Sequence, residues 1–185
     1  ATESLARQVC TGVDSIKNAA AVLRTVPSVS TVCESTENLI PSNGPPYVNK
    51  KDLVNCSGLI MGSPTYFGNM AAPLKYFLDS TSSEWLSGVL ADKPAGFFTS
   101  SSSPHGGQES TLLSMAIPLL HHGMIIVGIP YTLKEITTTK SGGGPYGASH
   151  ITWNRDTEEL TNEEKKIAQA IGKRVARIAK KLILK

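Results

Sequence analysis

Little in this chain is set aside for cross-links, metals or membranes. Its three cysteines, Cys10, Cys33 and Cys56, are odd in number, far apart and form no C-x-x-C pair. That argues against both a disulfide framework and a structural zinc site, and for a reducing compartment, the cytoplasm. No apolar run approaches the roughly 18 residues of a membrane span, and the first residues, Ala1 to Arg7, are not a secretory leader. No stable membrane insertion is expected. Charged residues make up only 18% of the chain, and the net charge is +3. Eight of the 18 basic residues fall in the last 25 positions, on a predicted helix, which reads as a solvated face and not as a nucleic-acid surface. Hydrolytic machinery is missing as well. Gly62-Ser63-Pro64 has proline where a Gly-x-Ser-x-Gly elbow needs its second variable residue, and no glycine follows. His105, His121, His122 and His150 have no carboxylate or thiolate at familiar ligand spacing, so no metal site is expected.

What is present suits one soluble domain: 185 residues, 40% of them hydrophobic, with a mean hydropathy of -0.08. Leu5, Ala6, Val9 and Val13 have helical spacing behind Thr2, a fair N-cap, so a helix opens the chain. Residues 19–26 read as a strand ending at Pro27, and the stretch to Lys51 is a polar excursion with a short helix near Lys51-Asp52-Leu53. Then a unit repeats. The apolar run 58–61 is a buried strand followed by a helix over 72–78; residues 94–99 are a second strand followed by a helix over 109–121, with Leu112, Leu113, Met115 and Ile117 available for burial. Residues 124–129 are a third strand. The glycine-rich stretch 141–147 reads as an ordered or lid-like loop. A last helix starts at Thr161, with Glu164 placed to complete a capping box and Ile167, Ala170, Ile171, Val175, Ile178 and Leu182 on its inner stripe.

Strands about 30 residues apart with helices between them imply right-handed crossovers: an α/β, doubly wound parallel sheet with helices on both faces and one domain over 1–185. Such a sheet ordinarily opens on a central strand that leads through a phosphate-binding turn into the first helix. Here the helix begins at residue 2, so the first strand and part of that turn are expected ahead of this chain.

The most informative stretch is Gly62-Ser63-Pro64-Thr65-Tyr66-Phe67-Gly68-Asn69-Met70, a glycine-bounded, hydroxyl- and aromatic-rich segment between a strand and a helix. With residues 100–107 and the start of the first helix, it lies where ligands bind in open α/β sheets, outside the carboxyl ends of the strands. Hydroxyls, glycine N–H groups and aromatics with almost no charge suit a planar polar heterocycle whose phosphate is held by backbone amides and a helix N-terminus; flavin mononucleotide (FMN) has that composition. Singly, each segment reads as well as structure: a tight connection, N-capping serines, a dipole-facing histidine. Their convergence on one edge favours a flavin site.

The chain resembles the WrbA-type NAD(P)H:quinone oxidoreductases of the flavodoxin-like superfamily. The resemblance rests on 62–71, Lys75-Tyr76-Phe77-Leu78-Asp79, His105-Gly106-Gly107-Gln108-Glu109, Leu120-His121-His122-Gly123-Met124 and Gly142-Gly143-Gly144-Pro145-Tyr146-Gly147-Ala148. It implies FMN held by three loops: a phosphate turn of which Ala1 and Thr2 are the last positions; Thr65, Tyr66, Phe67 and Gly68 beside the isoalloxazine; and Ser100, Ser101, Ser102, Ser103, His105 and Gly106 as the second flavin loop. Tyr66 stands where the family has arginine, and Ser101-Ser102-Ser103-Pro104 replaces a Thr-Gly-Thr-Gln-like stretch. His121 or His122 matches the flavin-pocket histidine, with His121 preferred as proton source. Trp85 matches a tryptophan that reaches a neighbouring subunit's site, which implies homotetramers and a substrate wall. The implied activity is two-electron quinone reduction by NADH or NADPH, in ping-pong order through the flavin N5. Two other readings stand beside it: a flavodoxin-type electron carrier, which the +3 charge disfavours because such carriers dock through acidic faces, and an FMN-free oligomeric adaptor.

Overall fold

The computed structural model describes residues 1–29, 41–152 and 159–183. Cys33, Lys185 and the middle of the polar excursion lie outside the described residues. The sheet is carried by three strands, β1 (Leu59–Tyr66), β3 (Pro94–Ser101) and β5 (Ala148–Ile151), with two short ones, β2 (Asn69–Met70) and β4 (Ile125–Ile126). β3 pairs in parallel with β1, β4 and β5; only β2 is antiparallel, as a hairpin return of β1. β3 is buried along its whole length, as expected for a parallel strand covered on both faces.

Alternation along β3 sorts the core into two clusters. Phe98 faces α1 (Thr2–Asp14) and α7 (Asn162–Ile183), together with Leu5, Val9, Ala148, Ile167, Ile171 and Val175. Phe97 faces the opposite way, with Leu112, Met115 and Leu119 of α5 (Gln108–His121) and Leu74 and Leu78 of α3 (Ala72–Asp79). Helices therefore cover both faces. α1 and α7 approach closely because Gly12 and Gly172 have no side chain: a Cβ at either would overlap a backbone carbonyl oxygen, of Gln169 or Val9 respectively. α7 opens with the reciprocal capping box, Thr161 N–H donating to Glu164 Oε2 at 2.8 Å and Glu164 N–H donating to Thr161 Oγ1 at 3.1 Å. Its inner stripe is buried at Ile167, Ile171 and Val175 and runs out at Leu182, which is exposed. No described helix is long and apolar enough to cross a membrane.

Several local expectations are corrected. Residues 19–26 are extended but carry only an isolated bridge, Thr25 to Tyr47, so they are not a strand of the sheet. Arg24 is tied sideways instead, to Asp52 of α2 (Lys50–Asn55) at 3.0 Å. β1 continues through Gly62 to Tyr66, which the periodicity assigned to a loop, because these residues pair with β3 and then with β2. The third apolar run forms only the two-residue β4, with Ile125 and Ile126 exposed. β5, α4 (Ser82–Leu86) and α6 (Lys134–Thr138) carry no long apolar period and went unpredicted. α5 buries Leu112 and Met115 but leaves Leu113 and Ile117 in solvent. Thr2 is the first residue of α1 and not its cap; Ala1 is the cap and offers no side-chain oxygen.

Candidate functional site

At the carboxyl ends of β1 and β3, two loops and two helix N-termini meet. β1 and β2 are joined by a two-residue turn in which Phe67 (φ 51) and Gly68 (φ 74) both lie in the left-handed region, as a type I′ hairpin requires. Glycine adopts this freely, whereas phenylalanine there carries strain of about 1–2 kcal/mol. The consequence is a Phe67 ring standing fully in solvent, beside the exposed Tyr66. Thr65 is turned inward. Its hydroxyl meets that of Thr111 on α5 and lies 3.4 Å from the carbonyl oxygen of Gly107.

Gly107 (φ 92) is the N-cap of α5, with no side-chain cap on the first-turn N–H groups. A Cβ there would come within 2.8 Å of the Gly68 Cα, so the hairpin and the helix entrance pack backbone to backbone. The serine loop folds on itself: Ser101 Oγ and Gln108 Nε2 both donate to the Ser103 carbonyl at 2.8 Å, and Gln108 Nε2 also donates to that of Pro104 at 3.1 Å. Gln108 Oε1 is left buried without a partner. On the far side of β3, the hydroxyls of Ser100 and Thr2 lie 2.7 Å apart, which brings the start of α1 to the same edge.

The structure therefore brings together Thr65, Tyr66, Phe67 and Gly68 with Gly106 and the start of α5, and Thr2, next to Ala1, with Ser100. Ser102 and His105 are exposed on the loop between. His121 is not part of this cluster within one protomer. It ends the 14-residue α5 that Gln108 begins, about 20 Å away at 1.5 Å per residue. There it belongs with Trp85, whose indole N–H donates to the His121 carbonyl at 2.7 Å. The two line an open groove of about 380 Å³ with Lys75, Asp79, Ile117 and Pro118. The expectation that the flavin-pocket histidine His121 shares one cleft with Thr65–Phe67 and Ser100–Gly106 is not met in this chain, because His121 lies at the opposite end of α5; sequence proximity to a motif does not tell which end of a helix a residue occupies.

The adjacent His122 behaves differently. It is buried, with Nε2 at 3.0 Å from Thr81 Oγ1. Burial holds the ring below its usual pKa, Glu84 opposes that effect and His121 adds to it. His122 is thus a neutral structural ring, and His121 the exposed one. Sequence reading missed Gln108 and Thr111, whose positions in the helix entrance are visible only once α5 is seated on Thr65, and also the buried pair of His150 and Glu164.

Comparison with known proteins supplies the family. The description "NADPH-dependent FMN reductase" matches residues 19–137. The chain belongs to that family. It is 41% identical over 185 residues to a protein from Syntrophobacter fumaroxidans named NAD(P)H dehydrogenase (quinone), covering 96% of this chain and 91% of that one. It is 40% identical to a protein of the same name from Geobacter sulfurreducens, with the same coverage. Among solved structures, a WrbA-like flavodoxin from Agrobacterium tumefaciens superposes with a TM-score of 0.66 at 22% identity, over 97% of this chain and 90% of that one. These relationships make the protein an oxidoreductase flavoprotein with a flavodoxin-like fold.

The residues present fit the flavin that the family name calls for. The α1 and α5 entrances offer first-turn N–H groups with no side-chain cap, Gln108 Oε1 is a buried acceptor without a partner, and Phe67 is an exposed ring. Among the described residues the charges at this edge are carried by exposed side chains of the helix first turns, Glu3 on α1 and Glu109 on α5, with the Ala1 amine; the two loops themselves offer hydroxyls, amides and rings.

Proposed function

We propose that the protein reduces quinones with NADH or NADPH, holding FMN at the edge formed by Thr2, Thr65–Gly68 and Ser100–Gly106. The observation that carries this reading is the meeting of these segments at the carboxyl ends of two parallel strands. Quinone and nicotinamide as substrates come from the names of the relatives. When bound, FMN would supply the hydride chemistry between nicotinamide and quinone, which we take to run in ping-pong order through its N5.

The chain's own residues bind and orient. First-turn N–H groups of α1, with Thr2 and Ser100, hold the phosphate end. Backbone N–H groups from Tyr66 to Gly68 serve the polar edge of the ring, and the strained turn keeps Phe67 extended as an aromatic wall. His121 and Trp85 act from a neighbouring protomer, His121 supplying a proton to the reduced quinone oxygen and Trp85 stacking on the flat substrate. Self-association is supported by the apolar surface around them: Tyr76, Trp85, Leu86, Leu113, Ile117 and Leu120 are all exposed. A homotetramer in the cytoplasm is the assembly we favour.

Steady-state NADH or NADPH oxidation with benzoquinone, on protein carrying a flavin absorbance band, is the test. Turnover of many equivalents per flavin is expected. Negligible turnover without an added reductase would mark an electron carrier, and protein that takes up no flavin would mark an adaptor.

A further inference from the structure

His150 and Glu164 form a pair with no exposed surface, and nothing in the hydride chemistry above uses it. His150 Nδ1 lies 2.9 Å from Glu164 Oε2. The carboxylate also accepts the Ser141 hydroxyl at 2.6 Å and the N–H groups of Gly142 at 3.1 Å and Thr161 at 2.8 Å. So many donors keep Glu164 ionised, which puts the imidazole proton on Nδ1 and points the lone pair of Nε2 away. Nε2 is buried and has no partner. An unpaired buried ring nitrogen is costly to folding; among the described residues His122 Nδ1 is another, but it lies at the far end of α5, whereas His150 Nε2 lies at the edge described above.

That place is set by strand register. His150 sits opposite Ser100, and Ala148 opposite Phe98. Phe98 and Ala148 share the α1/α7 core, so Ser100 and His150, two residues further along, project from the same face. α1 packs over β3 and β5 there, and Thr2 in its first turn meets Ser100 at 2.7 Å. A helix entrance, two hydroxyls and an unsatisfied imidazole thus share one corner.

We infer that His150, held by Glu164, is a positioning residue for the phosphate end of the flavin, acting through Ser100. This rests on the FMN reading above. When a phosphate dianion reaches the α1 entrance, Nε2 takes a proton from solvent and donates it in a hydrogen bond to Ser100 Oγ. The Ser100 hydroxyl hydrogen is then free to point at the phosphate, and the imidazolium charge lies between two anions, Glu164 and the ligand. Among the described residues, the charged or titratable groups around this corner are Glu163 and Glu164 on α7, and the Ala1 amine, Glu3 and Arg7 on α1. Glu3 and Arg7 are exposed and pair with each other at 2.6 Å.

The test is titration of the full chain and of His150→Gln with FMN and with riboflavin, followed by fluorescence quenching. It is joined by calorimetry of FMN binding in buffers of low and high ionisation enthalpy. Glutamine can still donate to Glu164 but cannot take up a proton. We expect His150→Gln to weaken FMN about tenfold and leave riboflavin unchanged. The wild-type heat should vary with the buffer, and that variation should vanish in the variant. Equal losses for FMN and riboflavin, no loss, or a buffer-independent wild-type heat would each overturn the inference while leaving the flavin site standing. Wild-type protein that binds neither ligand would overturn both. Should the variant not fold, the wild-type heat measured at about pH 8, where the free phosphate monoester is already a dianion, decides: proton uptake there supports the inference and its absence overturns it.

Discussion

The two faces of the sheet are built to different ends. On the α1/α7 face the packing closes on itself: two glycines let the helices touch, the apolar stripe is covered, and Glu164 gathers donors from His150, Ser141, Gly142 and Thr161, with His150 Nε2 left as an unpartnered polar atom. On the α3/α5 face the inner side of α5 is just as well packed, but its outer side leaves Leu113, Ile117 and Leu120 in solvent beside Trp85. One face holds the domain together. The other exposes apolar side chains, and under the self-association proposed above it is the face on which a second copy packs.

The contrast can be broken by substitution. Glu164→Ala should be the most damaging, destabilising by about 3–5 kcal/mol in urea unfolding, because it strips a buried partner from His150 and uncaps α7. The same carboxylate sets a pH dependence. Burial pushes its pKa up, but hydrogen bonds from Ser141, His150 and the Thr161 N–H outweigh that and hold it below the usual carboxylate range. A group with a depressed folded pKa contributes stability above its unfolded value, near 4.3, and loses it as pH falls through the folded value. Wild-type stability should therefore drop through that acid window, and the drop should be shallower in Glu164→Gln.

Gly172→Leu comes next, at about 3 kcal/mol, since the added side chain must push α7 off the Val9 carbonyl. On the other face, Ile117→Asp should alter monomer stability by no more than about 0.5 kcal/mol. It should nonetheless lower the oligomer mass seen by light scattering and reduce quinone turnover with FMN affinity unchanged. If Ile117→Asp unfolds the chain and Gly172→Leu does not, the division of labour between the faces is wrong. The smallest effect belongs to Lys75→Ala, whose ion pair with Asp79 at 2.5 Å is exposed and worth only a few tenths of a kcal/mol.

How much of this was legible in advance depended on the range of the signal. α3, α5 and α7 were readable because their apolar periods are long and local, and the Thr161–Glu164 capping box was readable from spacing alone. β5 was not. Its four residues, Ala148–Ile151, are held by pairing with β3 and carry no period of their own. Residues 19–26 erred in the other direction: an apolar composition suggested a strand, but strand identity is decided by a neighbour to pair with. At the candidate site, the hydroxyl and glycine segments could be named from sequence, and the structure brings them to one edge, whereas the positions of Thr111, Gln108 and His150 became visible only when the elements carrying them were seated. His121 illustrates the same limit, its motif legible and its end of the helix not.

Periodicity, punctuation and residue chemistry alone determined that this chain is an α/β protein with an uncharged, hydroxyl-rich edge. Those properties follow from local backbone preference and from which side chains can be buried. Register, the face on which a side chain emerges, and the partner left for each polar atom were decided only in the tertiary structure. Each of these depends on a contact between segments far apart in the chain, and no local preference can specify it.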